Sequence, residues 1–255
     1  MLFRSLKINL PHSDNKGITI GNLTVFPKGV MNFSKLFSHL VILSSLIVSS
    51  AQAFNIERRV GISRQVLVER MMSRNPIPRY LLDQAQCIGV MRNVKAGFIF
   101  GGEGSTGLVS CRLNGGWSAP SFINSGGVSF GLLIGGQVVD NVLLFMTPFS
   151  RQMLNRGSLT LGGDLSIAVG PFGEGVGTNV APMSNIWVYS AGTGLYAGFS
   201  LNGTVMTHGE ERNGLVYGRY LTPGEILSTP GVLVPPVMKP FVDVLNFYAP
   251  TPVYQ

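Results

Sequence analysis

Histidine and cysteine are nearly absent from this sequence, and charge is scarce. Three histidines and two cysteines occur in 255 residues, and Asp, Glu, Lys and Arg together make up only 12%. Beyond residue 53, His208 is the one imidazole, and Cys87 and Cys111 are its separated companions. That inventory cannot assemble a typical zinc site, and no metal or cofactor is expected. Nor is there an unbroken apolar run of the roughly 20 residues that a membrane-spanning helix needs. The 33 glycines follow no collagen-like period. They read instead as turns, bulges and close backbone approaches in a β-rich fold. With 45% hydrophobic residues the chain can bury a core, and it is too apolar to be disordered.

What is present begins with an export signal. Residues 31–53 read MNFSKLFSHLVILSSLIVSSAQA: Lys35 supplies a positive start, Leu40 to Val48 an apolar stretch, and Ala51-Gln52-Ala53 a small-x-small cleavage site. The expectation is cleavage near Ala53 and delivery to a periplasmic or secreted destination. Residues 1–30 show no sustained periodicity, and Met31 is read as the initiator, with 1–30 a non-native extension. Residues 54–255 then form a single domain, with no long linker or internal repeat. Fourteen basic and eleven acidic residues remain in it, net +3 rather than the +7 of the whole chain. The positive charge is gathered at its start: residues 54–95 carry net +5 and residues 96–255 net −2. Such an arrangement points to an anionic surface rather than to nucleic acid. Cys87 and Cys111 would meet an oxidising compartment, where a disulfide closing their loop and a pair of buried thiols both stay open.

Periodicity predicts a helix over 56–74, with Ile56, Val60, Leu67 and Met71 on one face and Asn75-Pro76 ending it. A short second helix is predicted over Pro78–Gln86. From Gly89 the pattern changes to strands separated by glycine turns: Ala96–Phe100, Leu108–Leu113, Trp117–Phe122, Val128–Ile134, Val138–Met146, Ser158–Leu161, Leu165–Val169, Ile186–Ser190, Leu195–Leu201 and Leu215–Tyr220. Asn114-Gly115, Gly135-Gly136 and Asn202-Gly203 are turn signals. Helices are expected at Ser150–Asn155, from the capping box Thr222-Pro223-Gly224-Glu225, and at Phe241–Tyr248. The fold class is therefore α+β, mainly β: an antiparallel barrel- or sandwich-like body with N-terminal helices and short C-terminal helices.

Two catalytic patterns fail on context. Gly102–Gly107 matches GxGxxG, but an alternating strand follows where a dinucleotide site needs a helix, so a hairpin loop is expected. Gly127–Gly131 matches GxSxG around Ser129, and a hydrolase would need His208 as its base. The flanking glycines and branched residues suit a continuing strand, so the chain is read as non-enzymatic, with the Ser129–His208 hydrolase a minor alternative. Glu210-Glu211 reads as a solvated turn.

The ordered segments CIGVMRNVKAGFIFGGEGSTGLVSCRLNGGWSAPSF, GGVSFGLLIGGQVVDNVLLFM, LTLGGDLSIAVGPFGEG, IWVYSAGTGLYAGFSLNG and VYGRYLTPGEIL resemble the SYLF domain family. The resemblance implies a lipid-binding module with a β-rich body. The family's bacterial members imply an exported envelope protein, and the signal peptide at 31–53 argues against the cytosolic actin role of eukaryotic members. On that reading the ligand is anionic phospholipid or an acyl chain at the envelope, and Arg58, Arg59, Arg64, Arg70 and Arg74, backed by Arg79, Arg92 and Lys95, attract the headgroups, each contributing about 1 kcal/mol near the surface. Ile56, Val60, Leu67 and Met71 then face the membrane, the competing expectation being that this same apolar face packs on the barrel. The alternative partner is an envelope protein meeting the glycine-rich strand edges.

Overall fold

The computed structural model describes residues 55–98, 100–130, 135–169, 184–191 and 203–251, with backbone alone at 95–98, 100–103, 127–130, 135–137, 169 and 191. The signal peptide, residues 1–30 and the expected strand Leu195–Leu201 lie outside them.

Four long strands form the centre: β1 (Cys87–Phe98), β2 (Phe100–Leu113), β4 (Ser121–Phe130) and β5 (Gly135–Phe145). Two-residue β3 (Gly116–Trp117) folds back on the end of β2 through Asn114-Gly115, where Gly115 adopts φ +92°. Shorter strands extend the sheet: β6 (Ser158–Thr160), β7 (Ile167–Val169), β8 (Ile186–Ala191) and β9 (Val205–His208). The order is β6-β9-β4-β2-β1-β5-β8-β7, antiparallel except for β7 with β8. The sheet curls into a half-barrel, as the barrel- or sandwich-like expectation required.

Helices cover both faces, which explains why the strands are so continuously apolar. Even-numbered residues of β1 (Ile88, Val90) join Leu108, Phe122, Val142, Leu144 and Tyr189 on one face. Packed there are α1 (residues 55–71), α2 (Arg79–Gln84), a 3₁₀ turn (Pro236–Met238) and the C-terminal helix Lys239–Tyr248. Odd-numbered residues (Cys87, Met91) join Val109, Cys111, Ile123, Leu143 and Phe145 on the other face. That face carries α3 (Pro148–Asn155) and the helix Pro223–Ser228. Both of these helices open with a capping box and a first-turn proline, Thr147/Ser150 and Thr222/Glu225. The C-terminus is held by Arg112, which donates to the carbonyls of Leu82, Ala85 and Pro250 and stacks 4.6 Å over Trp117. Trp117 itself donates to Ala249 O at 2.9 Å.

Several expectations change. β1 begins at Cys87, nine residues before the expected Ala96, because Cys87 to Met91 are buried on alternate faces. Gly102–Gly107 is no loop but an integral part of β2, paired with β1 and β4. Leu215–Tyr220 was read as a strand; it falls within and just beyond α4 (Glu210–Tyr217), which ends at Gly218 in a left-handed conformation, φ +66°. The supposed turn Glu210-Glu211 is the first turn of α4, where two acids suit the helix dipole. Val205–His208 was not foreseen as a strand; it bridges β4 and β6.

Candidate functional site

Helix α1 crosses one face of the sheet. Near residue 70 it lies against β8: Arg70 is 9% exposed, donates to Ser190 O at 3.5 Å and sits 5.4 Å over the Tyr189 ring. Near residue 55 it lies over β1 and β2 on one side and α4 on the other. Its buried stripe is Val60, Ser63, Val66, Leu67 and Arg70, a three-to-four-residue spacing rotated from the predicted face.

That placement corrects the membrane-facing assignment. Val60 and Leu67 are 2% and 1% exposed in the core, and Ile56 and Met71 pack against the same cluster. Removing water from these side chains is already accomplished by Ile88, Val90, Leu144 and the C-terminal helix, so they are not available to a bilayer. Val60→Ala is therefore expected to lower the stability of the lipid-free protein by about 2 kcal/mol, from lost burial and an unfilled space. Urea denaturation measures it, and an unchanged midpoint would show α1 to be undocked.

The expected basic cluster is dispersed. Arg92 is bound bidentately by Asp140, at 2.6 and 2.7 Å, across the β1–β5 ladder, and this pairing raises its pKa. Arg79 pairs with Asp83 at 3.0 Å on the exposed side of α2. Arg64 and Arg74 are exposed, and the Lys95 side chain lies outside the described residues.

Two of the predicted arginines do converge with one that sequence reasoning missed. Arg58 and Arg59 meet Arg212 of α4 around a pair of neighbouring cavities that share Asn55 and Arg59. The larger, about 320 Å³, is walled by Arg58, Ile62, Arg92, Val94 and Thr106; the smaller, about 170 Å³, by Ile56, Glu211, Arg212 and Leu215. Burial lowers the Arg59 pKa, and the charges of Arg212 and Arg58 lower it further. Arg212 is aimed by a hydrogen bond to Asn124 Oδ1. Asn124, Thr106, Arg92 and Asp140 form one polar rung across β4, β2, β1 and β5, on the same face as the cleft. Arg212 was hidden because α4 had been read as turn and strand. The acid-rich first turn ahead of Asn213-Gly214-Leu215 is the signal that could have revealed it.

The hydrolase pairing is not assembled. His208 pairs with Ile123 in the β4–β9 ladder, six positions along β4 from Ser129, about 20 Å at strand rise. Its Nδ1 instead lies 2.9 Å from Ser121 Oγ, with Asn213 Nδ2 3.1 Å from that same hydroxyl. Asn213 Oδ1 accepts from Phe122 N at 2.9 Å, so the cluster ties α4 to β4 and β9. The adjoining cavity is about 10 Å³, room for one water and no substrate. Burial lowers the His208 pKa below 6.5, against opposing effects from the Leu221 backbone and Glu210. The unfolded chain thus takes a proton more readily than the folded one. This contribution to stability is complete above about pH 6.5 and is lost as pH falls from there through the folded pKa, with a slope of at most about 1.4 kcal/mol per unit. Denaturation at pH 7.5 and 5.5 measures it, and His208→Gln should flatten the dependence.

Residues 126–248 match the family model Ysc84, described as "Las17-binding protein actin regulator". Those residues belong to this family, the SYLF domain. Over 176 residues the chain is 39% identical to an SH3 domain-containing protein of Schizosaccharomyces pombe, covering 67% of this chain and 41% of that one. Protein YSC84 of Saccharomyces cerevisiae is 34% identical over the same span, 67% and 37% of the two chains. LAS seventeen-binding protein 3 of S. cerevisiae is 32% identical, 67% and 38%. The matched region thus spans less than half the length of these relatives. No solved structure matches.

These names overturn the partner expectation. Anionic phospholipid was favoured, with an envelope protein as alternative and actin set aside. The family is instead described by binding to Las17 and by actin regulation, and one relative matched over two thirds of this chain is named LAS seventeen-binding protein 3. The inference failed because it took the arginines and apolar residues of α1 as one amphipathic surface, whereas the apolar half is core and Arg92 is neutralised.

Proposed function

We propose that this chain is a non-enzymatic protein-binding module whose partner belongs to the actin-regulatory class named for its family. The observation that carries this reading is the family match over residues 126–248, which take in β5 to β9, α3, α4 and the C-terminal helices. The body is a packed scaffold: both sheet faces carry a hydrophobic cluster covered by helices, and the Ser121–His208–Asn213 cluster is bonded internally beside a water-sized space. What remains accessible is surface chemistry, suited to a partner rather than to turnover. Actin filaments are the first probe. The purified chain should pellet with them saturably in co-sedimentation, and a chain that stays in the supernatant at all filament concentrations would sink the reading.

We further propose export, with cleavage after Ala53. Its support is the charged, apolar and small-residue order of 31–53 together with the Cys87–Cys111 disulfide, a bond that persists in oxidising compartments. Export sets where the partner must be sought; it does not alter the surface that binds. Intact-mass measurement of the protein from extracytoplasmic fractions should give an N-terminus at Phe54, and a chain retaining 31–53 would overturn it.

A further inference from the structure

We infer that the cleft between α1 and α4 is a docking site for a carboxylate-rich segment of the protein partner, an inference that rests on the protein-binding reading. The guanidinium groups of Arg58, Arg59 and Arg212 are brought together from positions more than 150 residues apart in sequence, and among the described residues none of them forms an ion pair. Among the described residues Glu211 is the one acid lining either cavity, and Arg92 is already occupied by Asp140. The cleft therefore keeps an excess of positive charge, with half-buried Arg59 repelled by half-buried Arg212 and by exposed Arg58. Added carboxylates would relieve that repulsion and gain charge-assisted hydrogen bonds in the planar geometry guanidinium favours.

The shape selects an extended ligand over a single small anion. The cavities adjoin through Asn55 and Arg59, giving a run rather than a socket. Apolar contacts flank both ends: Leu215 is 49% exposed at one, and Val94 and Val138, cross-strand neighbours 49% and 56% exposed, stand at the other. Acidic side chains would meet the arginines, and intervening apolar ones would cover Leu215 or the valine pair. A lipid surface is a poorer fit, because the apolar face of α1 that would have to insert is committed to the core.

The probe is a fluorescein-labelled hexaglutamate peptide titrated with the full chain and followed by fluorescence anisotropy at low salt. Saturable binding is expected, weakened at least tenfold in Arg59→Gln/Arg212→Gln and again at 0.3 M salt, where charge screening is strong. Arg79→Gln/Lys239→Gln, altering exposed ion pairs elsewhere, should stay within twofold of the parent. The charge-conserving Arg59→Lys/Arg212→Lys should retain most of the affinity. Thermal melts establish folding; if the glutamine pair is unfolded, exposed Arg58→Gln replaces it, with at least threefold weakening expected. Three results would overturn the inference: no saturable binding by the parent, equal weakening by the control pair, or capture of anionic vesicles but not of the peptide. Actin co-sedimentation separates this from the broader reading. Unchanged pelleting of Arg59→Gln/Arg212→Gln leaves the protein-binding reading standing and removes the cleft, whereas cleft-dependent peptide binding without pelleting keeps the cleft and removes actin.

Discussion

Gly107→Ala is expected to leave no folded protein. Gly107 lies in β2 between Met91 of β1 and Ile123 of β4, at the centre of the sheet. A Cβ built there would stand 1.8 Å from Val90 O, 2.8 Å from Val90 C and 2.9 Å from Met91 Cα. All three obstacles are backbone atoms of the neighbouring central strand, so no rotamer change relieves the contact. Either β1 or β2 must move, and β1 is paired on its other side with β5. Overpacking a core costs about 1–3 kcal/mol when side chains can adjust. Displacing a doubly paired strand should exceed about 4 kcal/mol, most of the stability of an ordinary domain. Gly126→Ala is the control: it sits on β4 with nothing within 4 Å of its Cβ and should be neutral or slightly stabilising. Urea denaturation and soluble yield measure both. A Gly107→Ala protein within about 1 kcal/mol of the parent would mean that the strands are not this close.

That glycine also shows where the sequence could be read and where it could not. The Thr222–Glu225 capping box with its first-turn proline and the Asn114-Gly115 turn are local chemistry, and each appears where the residues placed it, whereas the Thr147/Ser150 box starts its helix two residues before the expected Ser150. The family resemblance, the β-rich body and the existence of α1 were legible for similar reasons. Three things were not. The start of β1 was missed because a strand buried on both faces lacks the alternation that marks a half-buried one. The strand role of Gly102–Gly107 was hidden because glycine serves loops and close strand approach equally well, and only the neighbour Val90 decides between them. The cleft was half visible: Arg58 and Arg59 were named, but Arg212 is joined to them only by tertiary packing. Which residues of α1 face inward was also a tertiary matter. Val66 looked off-stripe until the helix was docked, and its burial turned the proposed membrane face into core.

Breaking the Cys87–Cys111 disulfide is expected to cost about 3.5 kcal/mol. The two half-cystines are directly opposed in the β1–β2 ladder, are 0% exposed and are separated by 24 residues. Closing a loop of that length removes entropy from the unfolded chain worth about 3.5 kcal/mol in the chain-entropy model. Cys87→Ala/Cys111→Ala adds a packing loss, because the sulfurs lie in the same cluster as Phe145, Val109 and Ile186. The hairpin end they join is also where Gln86 N donates to Phe145 O and Arg112 N to Gln86 O, the contacts that set β1 between β2 and β5. Burial makes a second prediction. Reductant alone should act slowly, at the rate of unfolding, since a thiolate cannot reach either sulfur in the native state. With urea present the reduced protein should unfold at a clearly lower midpoint than the oxidised one. Equal midpoints would remove the physical advantage of an oxidising compartment and leave the proposal of export resting on residues 31–53 alone.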